Sequence, residues 1–140
     1  MTQIAYKYTS AAPALPDLSV AMPELGEGAA LRLGMKDMQA LRDNFGDGWF
    51  TEAPSRCNSI DVAYIAAVIE RAGRFHGEPA PIDIEMHPDV PIATFAQRAL
   101  DVVFLAVFGR RFEDELRHRL QANAAAAKAE DGDPAEAAAW

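Results

Sequence analysis

A chain of 140 residues has room for one domain with a modest core and some extended length at its ends. Half of the residues are hydrophobic, but 28 residues are alanine, so the bulky core formers are fewer than that fraction suggests and cluster between Leu31 and Leu120. A net charge of −8 disfavours nucleic acid as a partner, because binding phosphates needs a basic face. One cysteine, Cys57, excludes an internal disulfide and suits a reducing compartment.

Residues 1–27 are rich in alanine and proline. Pro13, Pro16 and Pro23 are spaced too closely for a helix, so the segment reads as an extended arm, with "IAYKY" able to pair as an edge strand. Nothing near Met1 has the apolar stretch of a signal peptide, and no run approaches the roughly 20 residues of a membrane span. The expectation is a soluble cytoplasmic protein. "AALRL" alternates Leu31 and Leu33 with Arg32, which predicts a short strand ending at Gly34.

A first helix is predicted from Met35. Met38, Leu41 and Phe45 share one face, Asp37 suits the first turn, and Gly46 stops it. Asp47-Gly48 then turns the chain and leaves Trp49 and Phe50 just outside the helix. A second helix is predicted over "IDVAYIAAVIERA", capped by Asn58 or Ser59 and stopped by Gly73, with Val62, Ile65, Ala66 and Ile69 facing inward. Residues 77–91 carry four prolines and read as a connector, briefly extended at "IDIEM". Asp89 is the expected cap of a third helix that tolerates Pro91 in its first turn and reaches Gly109.

The segment "RRFEDELRHRL" predicts a fourth helix of different character. Arg111–Glu115, Glu113–Arg117 and Glu115–Arg119 are opposite charges at i,i+4, while Phe112, Leu116 and Leu120 line the remaining face. Residues 123–140 form an alanine-rich tail expected to be largely disordered. The fold class that follows is mainly α: a small domain of three to four helices over 28–122, with a short N-terminal β element and disordered ends.

Tests for chemistry come back empty. In "DNFGDGWF", Asp43, Asp47 and Gly48 occupy positions one, five and six of an EF-hand count, but Phe45 and Pro54 at positions three and twelve offer no side-chain oxygen. "GEG" and "GDG" carry acids that repel phosphate, and no GxxxxGK[ST] is present. Ser55, Cys57 and Ser59 lack a GxSxG context, while His76, His87 and His118 are scattered in polar or Pro/Gly-rich surroundings. The carboxylate pairs Asp43/Asp47 and Glu113/Glu115 lie among surface charges. The reading is therefore a non-enzyme with no catalytic residue, cofactor or metal.

"VVFLAVF", Val102 to Phe108, is apolar around the whole helix, and Phe104, Phe108 and Phe112 continue at i,i+4. Short neighbouring helices cannot wrap such a helix completely, and an apolar face left bare marks an interaction site. Trp49, Phe50, Phe104, Phe108, Phe112 and Leu116 are accordingly the candidate partner-binding residues.

The order of features, "LRLGMKDMQALRDNFG", a helix, a proline-rich connector and then "ALDVVFLAVFGRRFEDEL", resembles the tail assembly chaperones of long-tailed phages. The likeness is to the type found in gene transfer agents and prophages, and it spans about Leu31 to Leu120. It implies an assembly factor that binds the tape-measure protein, keeps it soluble and is displaced as tail-tube protein polymerises. It further implies action in the bacterial cytoplasm, absence from the mature particle and, as in some members, self-association into a homo-oligomer. Two rival readings rest on charge and size alone: an acidic inhibitor or antitoxin-like module, and a minor structural tail component.

Overall fold

In the computed structural model, residues 17–131 are described, with side chains through Lys128. The expected edge strand "IAYKY" and the end of the tail lie outside them. The architecture is mainly helical with a small antiparallel sheet, which is richer than the predicted three to four helices and single β element. Two-residue β1 (Val20–Ala21) pairs with β2 (Ala29–Leu31) across a 3-10 turn, Pro23–Leu25. Helices α1 (Met35–Phe45), α2 (Ala53–Asn58) and α3 (Val62–Ala72) follow. Next come β3 (Gly73–Phe75), β4 (Glu78–Pro79), a 3-10 turn at Ile84–Met86, and helices α4 (Ile92–Phe108) and α5 (Phe112–Asp131). The sheet order is β1-β2-β3-β4, antiparallel throughout.

Strand β2 falls within the predicted "AALRL", and α1 occupies the predicted span. Its stop is Gly46, at φ 90° with its amide donating to the Arg42 carbonyl. Leu41 is buried, while Met38 and Phe45 are partly buried against the same core. α3 also ends where expected, but its cap is Asp61, whose carboxylate accepts from the Tyr64 amide, and not Asn58 or Ser59. Its inner stripe is Tyr64, Ile65, Val68, Ile69 and Ala72, whereas Val62 is half-exposed. Val62 is the first helical residue, and the core lies on the face that Ile65 and Ile69 share with Tyr64 and Val68.

The segment after Phe50, for which the sequence predicts no element, forms α2, which places Ala53 and Cys57 in the core. The connector after Gly73 is also more ordered than its prolines suggest. Strands β3 and β4 are joined by His76–Gly77, with φ values of 49° and 83°. Two consecutive positive φ angles in a two-residue loop make a type I′ hairpin turn, whose twist matches that of the strands. "IDIEM" forms a 3-10 turn, not an extended piece, because the Asp83 carboxylate accepts from the Glu85 amide. Gly73 is required by space: a Cβ there would lie 2.2 Å from the Ala80 carbonyl oxygen.

Two further boundaries differ from expectation. Val20 and Met22, inside the predicted arm, are fully buried, so the sheet's first strand is part of the core. α4 begins after Pro91 without a side-chain cap, so Asp89 does not serve as one. At the other end, α5 continues past residue 122 to Asp131 through the alanine run, since alanine has the highest helix propensity.

The core gathers one face of each of α1–α4 with the sheet. Phe95, Ala99, Val102 and Val103 of α4 and Tyr64, Ile65 and Ile69 of α3 belong to one buried cluster, and the two helices pack against each other. Two ion pairs fasten the sheet side to the helices: Arg74 to Asp37 at 3.1 Å, and Arg98 to Glu24.

Candidate functional site

The six residues proposed from sequence fall into one neighbourhood, at the joint where α4 hands over to α5. Trp49 and Phe50 stack edge-on with ring centres 5.5 Å apart, and Phe50 meets Phe108 at 6.1 Å. Phe104 contacts both Phe108 and Phe112 at 5.1 Å. These tilted and edge-to-face arrangements suit the ring quadrupoles. Leu116 lies one turn beyond Phe112.

Their accessibility divides them. Trp49 and Phe104 are core residues, 5% and 3% exposed, so the expectation of direct partner contact does not fit either of them in this conformation. Trp49 is held by Phe50, edge-on to its ring, and by Tyr64, whose hydroxyl donates to the Trp49 carbonyl at 2.6 Å, while Phe104 is flanked by Phe108 and Phe112. Burial pushes the Tyr64 hydroxyl well above its ordinary pKa, so it remains a donor. Phe50, Phe108 and Phe112 are half-buried, and Leu116 is 45% exposed. Leu120, four residues on, is 60% exposed.

Glu115 and Arg119, read from the sequence only as a surface ion pair, organise this joint together with Arg110. Glu115 is buried, and it accepts from Arg110 at 2.9 Å and from Arg119 at 2.8 Å. The hydrogen bond from Arg119, followed by that from Arg110, holds its carboxyl below the usual range. Arg119 in turn covers Phe108 at 5.2 Å and Phe104 at 6.0 Å from the ring centres, a cation–π placement. The i,i+4 spacing of Glu115 and Arg119 was visible in the sequence. The aromatic rings beneath Arg119 were not, since they belong to a different helix.

The predicted Arg111–Glu115 pair does not form. Arg111 precedes the helix and turns back towards Asp101 of α4, 3.9 Å away. Burial pushes the Asp101 carboxyl above its ordinary pKa, against the opposing influence of Arg111 and of the Phe112 amide. Arg117 pairs with Glu113 at 3.6 Å and Asp114 at 3.0 Å on the solvent side.

The other residues weighed for chemistry are dispersed. Asp47 pairs with Arg42 at 2.8 Å, and Asp43 accepts from Gln39. Cys57 is buried, and burial, reinforced by the charge of Asp61, pushes its thiol up to about 12. A thiol so placed stays protonated and is a poor nucleophile. His76 stacks on Phe75 with ring centres 4.3 Å apart. Among the described residues no three His, Cys, Asp or Glu side chains converge on a metal-sized site, and no single helix is long and apolar enough to cross a membrane. A shallow depression of about 340 Å³ beside Leu25, Phe75 and Met86 is a second place where apolar side chains reach solvent.

Comparison with protein families, with curated proteins and with solved structures finds no match to this chain.

Proposed function

We propose that the protein is a phage-type tail assembly chaperone that binds and solubilises the tape-measure protein during tail assembly, without catalysis. The observation that carries this reading is α5. Every described side chain from Leu116 to Lys128 is exposed, and Leu116 and Leu120 stand on its surface one turn apart, next to the half-buried Phe112. A helix that leaves its domain with apolar residues uncovered suits the capture of another amphipathic helix, apolar face against apolar face. The order of sequence blocks described above supports the same reading, as does an acidic surface, which disfavours nucleic acid.

On this reading Leu116, Leu120 and the accessible parts of Phe108, Phe112 and Phe50 contact the tape-measure helix. Trp49 and Phe104 hold the platform beneath them. The chaperone acts in the bacterial cytoplasm, yields its client to tail-tube protein and is absent from the finished particle. The test is co-expression of a phage tape-measure protein with wild-type chain or with Leu116→Asp and Leu120→Asp. Both substituted side chains are exposed, so the variants are expected to fold. The expected result is that the client stays soluble with wild type and precipitates with the double variant. Equal solubility with both chains overturns the assignment of these residues, and precipitation with both overturns the function.

A further inference from the structure

The α4–α5 joint is bent by 55°, and three features set it apart from the other connections. Nothing covalent enforces the bend. Residues 109–111 are Gly-Arg-Arg, without proline; Gly109 ends α4 in a left-handed turn at φ 75°, a conformation that glycine adopts without being locked into it. Pro54 and Pro91 stand instead at the starts of α2 and α4.

The contacts across the bend also belong to the bent chain alone. Eight residues of straight helix span about 12 Å and eleven span about 16 Å. Yet Phe104 and Phe112 lie 5.1 Å apart, and the Arg119 guanidinium sits 5.2 Å from the Phe108 ring. Finally, among the described side chains α5 is held through its first two turns: Phe112 is half-buried, Glu115 is buried, and Arg119 reaches back over the rings, while those from Gln121 to Lys128 are exposed.

We infer that α5 is a hinged strap: bent, its first two turns cover the aromatic face of α4, and straightened through residues 109–111, it lays Phe104, Phe108 and Phe112 open. Glu115 is the latch, because it alone ties Arg110 in the joint to Arg119 over the rings. In the straight form α4 and α5 become one helix of about 60 Å, and the contacts of Arg119 with both rings are lost. The strap keeps an aromatic surface out of solvent until something competes for it. That a tape-measure helix is the competitor rests on the function proposed above, but the strap itself does not.

Two variants of the full-length chain test it. Glu115→Ala removes the latch. Gly109→Ala acts through the backbone only: a Cβ there meets nothing within 4 Å, but φ of 75° resists a side chain, which disfavours the bend. The readouts are fluorescence of the apolar dye bis-ANS under native conditions and amide exchange of α3. Both variants are expected to raise dye fluorescence by about threefold or more while α3 exchange stays at the wild-type rate. Fluorescence at the wild-type level, or a rise matched by faster exchange in α3, overturns the strap. If the dye signal rises as expected but neither variant alters solubilisation of the co-expressed tape-measure protein, the strap stands and its proposed client does not.

Discussion

Helices α4 and α5 are close in length, 17 and 20 residues, and meet end to end, but they are made stable by different means. α4 is apolar around its last two turns, Val102 to Phe108, and is packed by α2, α3 and β1, so burial of Phe95, Ala99, Val102 and Val103 holds it in place. α5 buries almost nothing. It persists through acids in its first turn, ion pairs such as Glu113–Arg117, and a run of alanines, each a local term that needs no neighbour. One helix is a consequence of the core, and the other is a consequence of its own sequence. That difference makes α5 the element free to be rearranged or shared with a partner.

Cutting into each helix should give the largest contrast. Phe95→Ala removes a fully buried ring and is expected to cost about 3–5 kcal/mol, whereas Leu120→Ala should stay within about 0.5 kcal/mol. Thermal or urea denaturation of the two variants measures both. A comparable loss for Leu120 would mean that α5 is packed against the domain after all.

A second experiment probes how rigid the packed body is. Gly73→Ala sets a Cβ against the Ala80 carbonyl, where backbone must move, and a cost of about 1–3 kcal/mol is expected. Wild-type stability would show that the β3–β4 hairpin yields as readily as α5.

The smallest effect lies in acid titration of the joint, where two carboxylates work in opposite directions. Glu115 has its pKa lowered from an ordinary 4.5 by Arg119 and Arg110. Its contribution is present above pH 4.5 and is lost as pH falls through the lowered value. Asp101 has its pKa raised from 3.8, chiefly by burial. Its ionised form costs stability at neutral pH, and that cost is relieved as pH falls through the raised value. Glu115→Gln should therefore flatten the loss of stability on the acid side, while Asp101→Asn should be neutral or stabilising at pH 7. Melting temperatures across pH 3–7 distinguish them, and identical profiles for wild type and Glu115→Gln would remove Glu115 as a latch.

The elements that could be read directly were those governed by nearest neighbours in the chain. α1 has its stripe, its acidic first turn and a glycine after Phe45, and α3 and α4 stop at Gly73 and Gly109. α2 was illegible because six residues around Pro54 carry no period, and β1, β3 and β4 because strands of two or three residues leave no alternation to count. The cap of α3 lies two or three residues beyond the predicted Ser59 or Asn58, since all three residues are competent caps and only the path of the chain selects Asp61.

For the candidate site, sequence brought the right aromatic residues to attention but could not distribute them between core and surface. An i,i+4 run of Phe104, Phe108 and Phe112 reads as one ridge that continues from the third predicted helix into the fourth. A bend at Gly109 folds Phe112 back onto Phe104 and sinks the latter.

By itself, then, the sequence determined the helical character, the charge, the stops at glycine and the local ion pairs of α5, because each depends on residues within about one turn of one another. Tertiary structure alone decided that Val20 and Met22 belong to the core, that Trp49 is buried in it, and that Glu115 is buried between two arginines. Burial depends on which surfaces distant segments leave uncovered, and no local pattern carries that information.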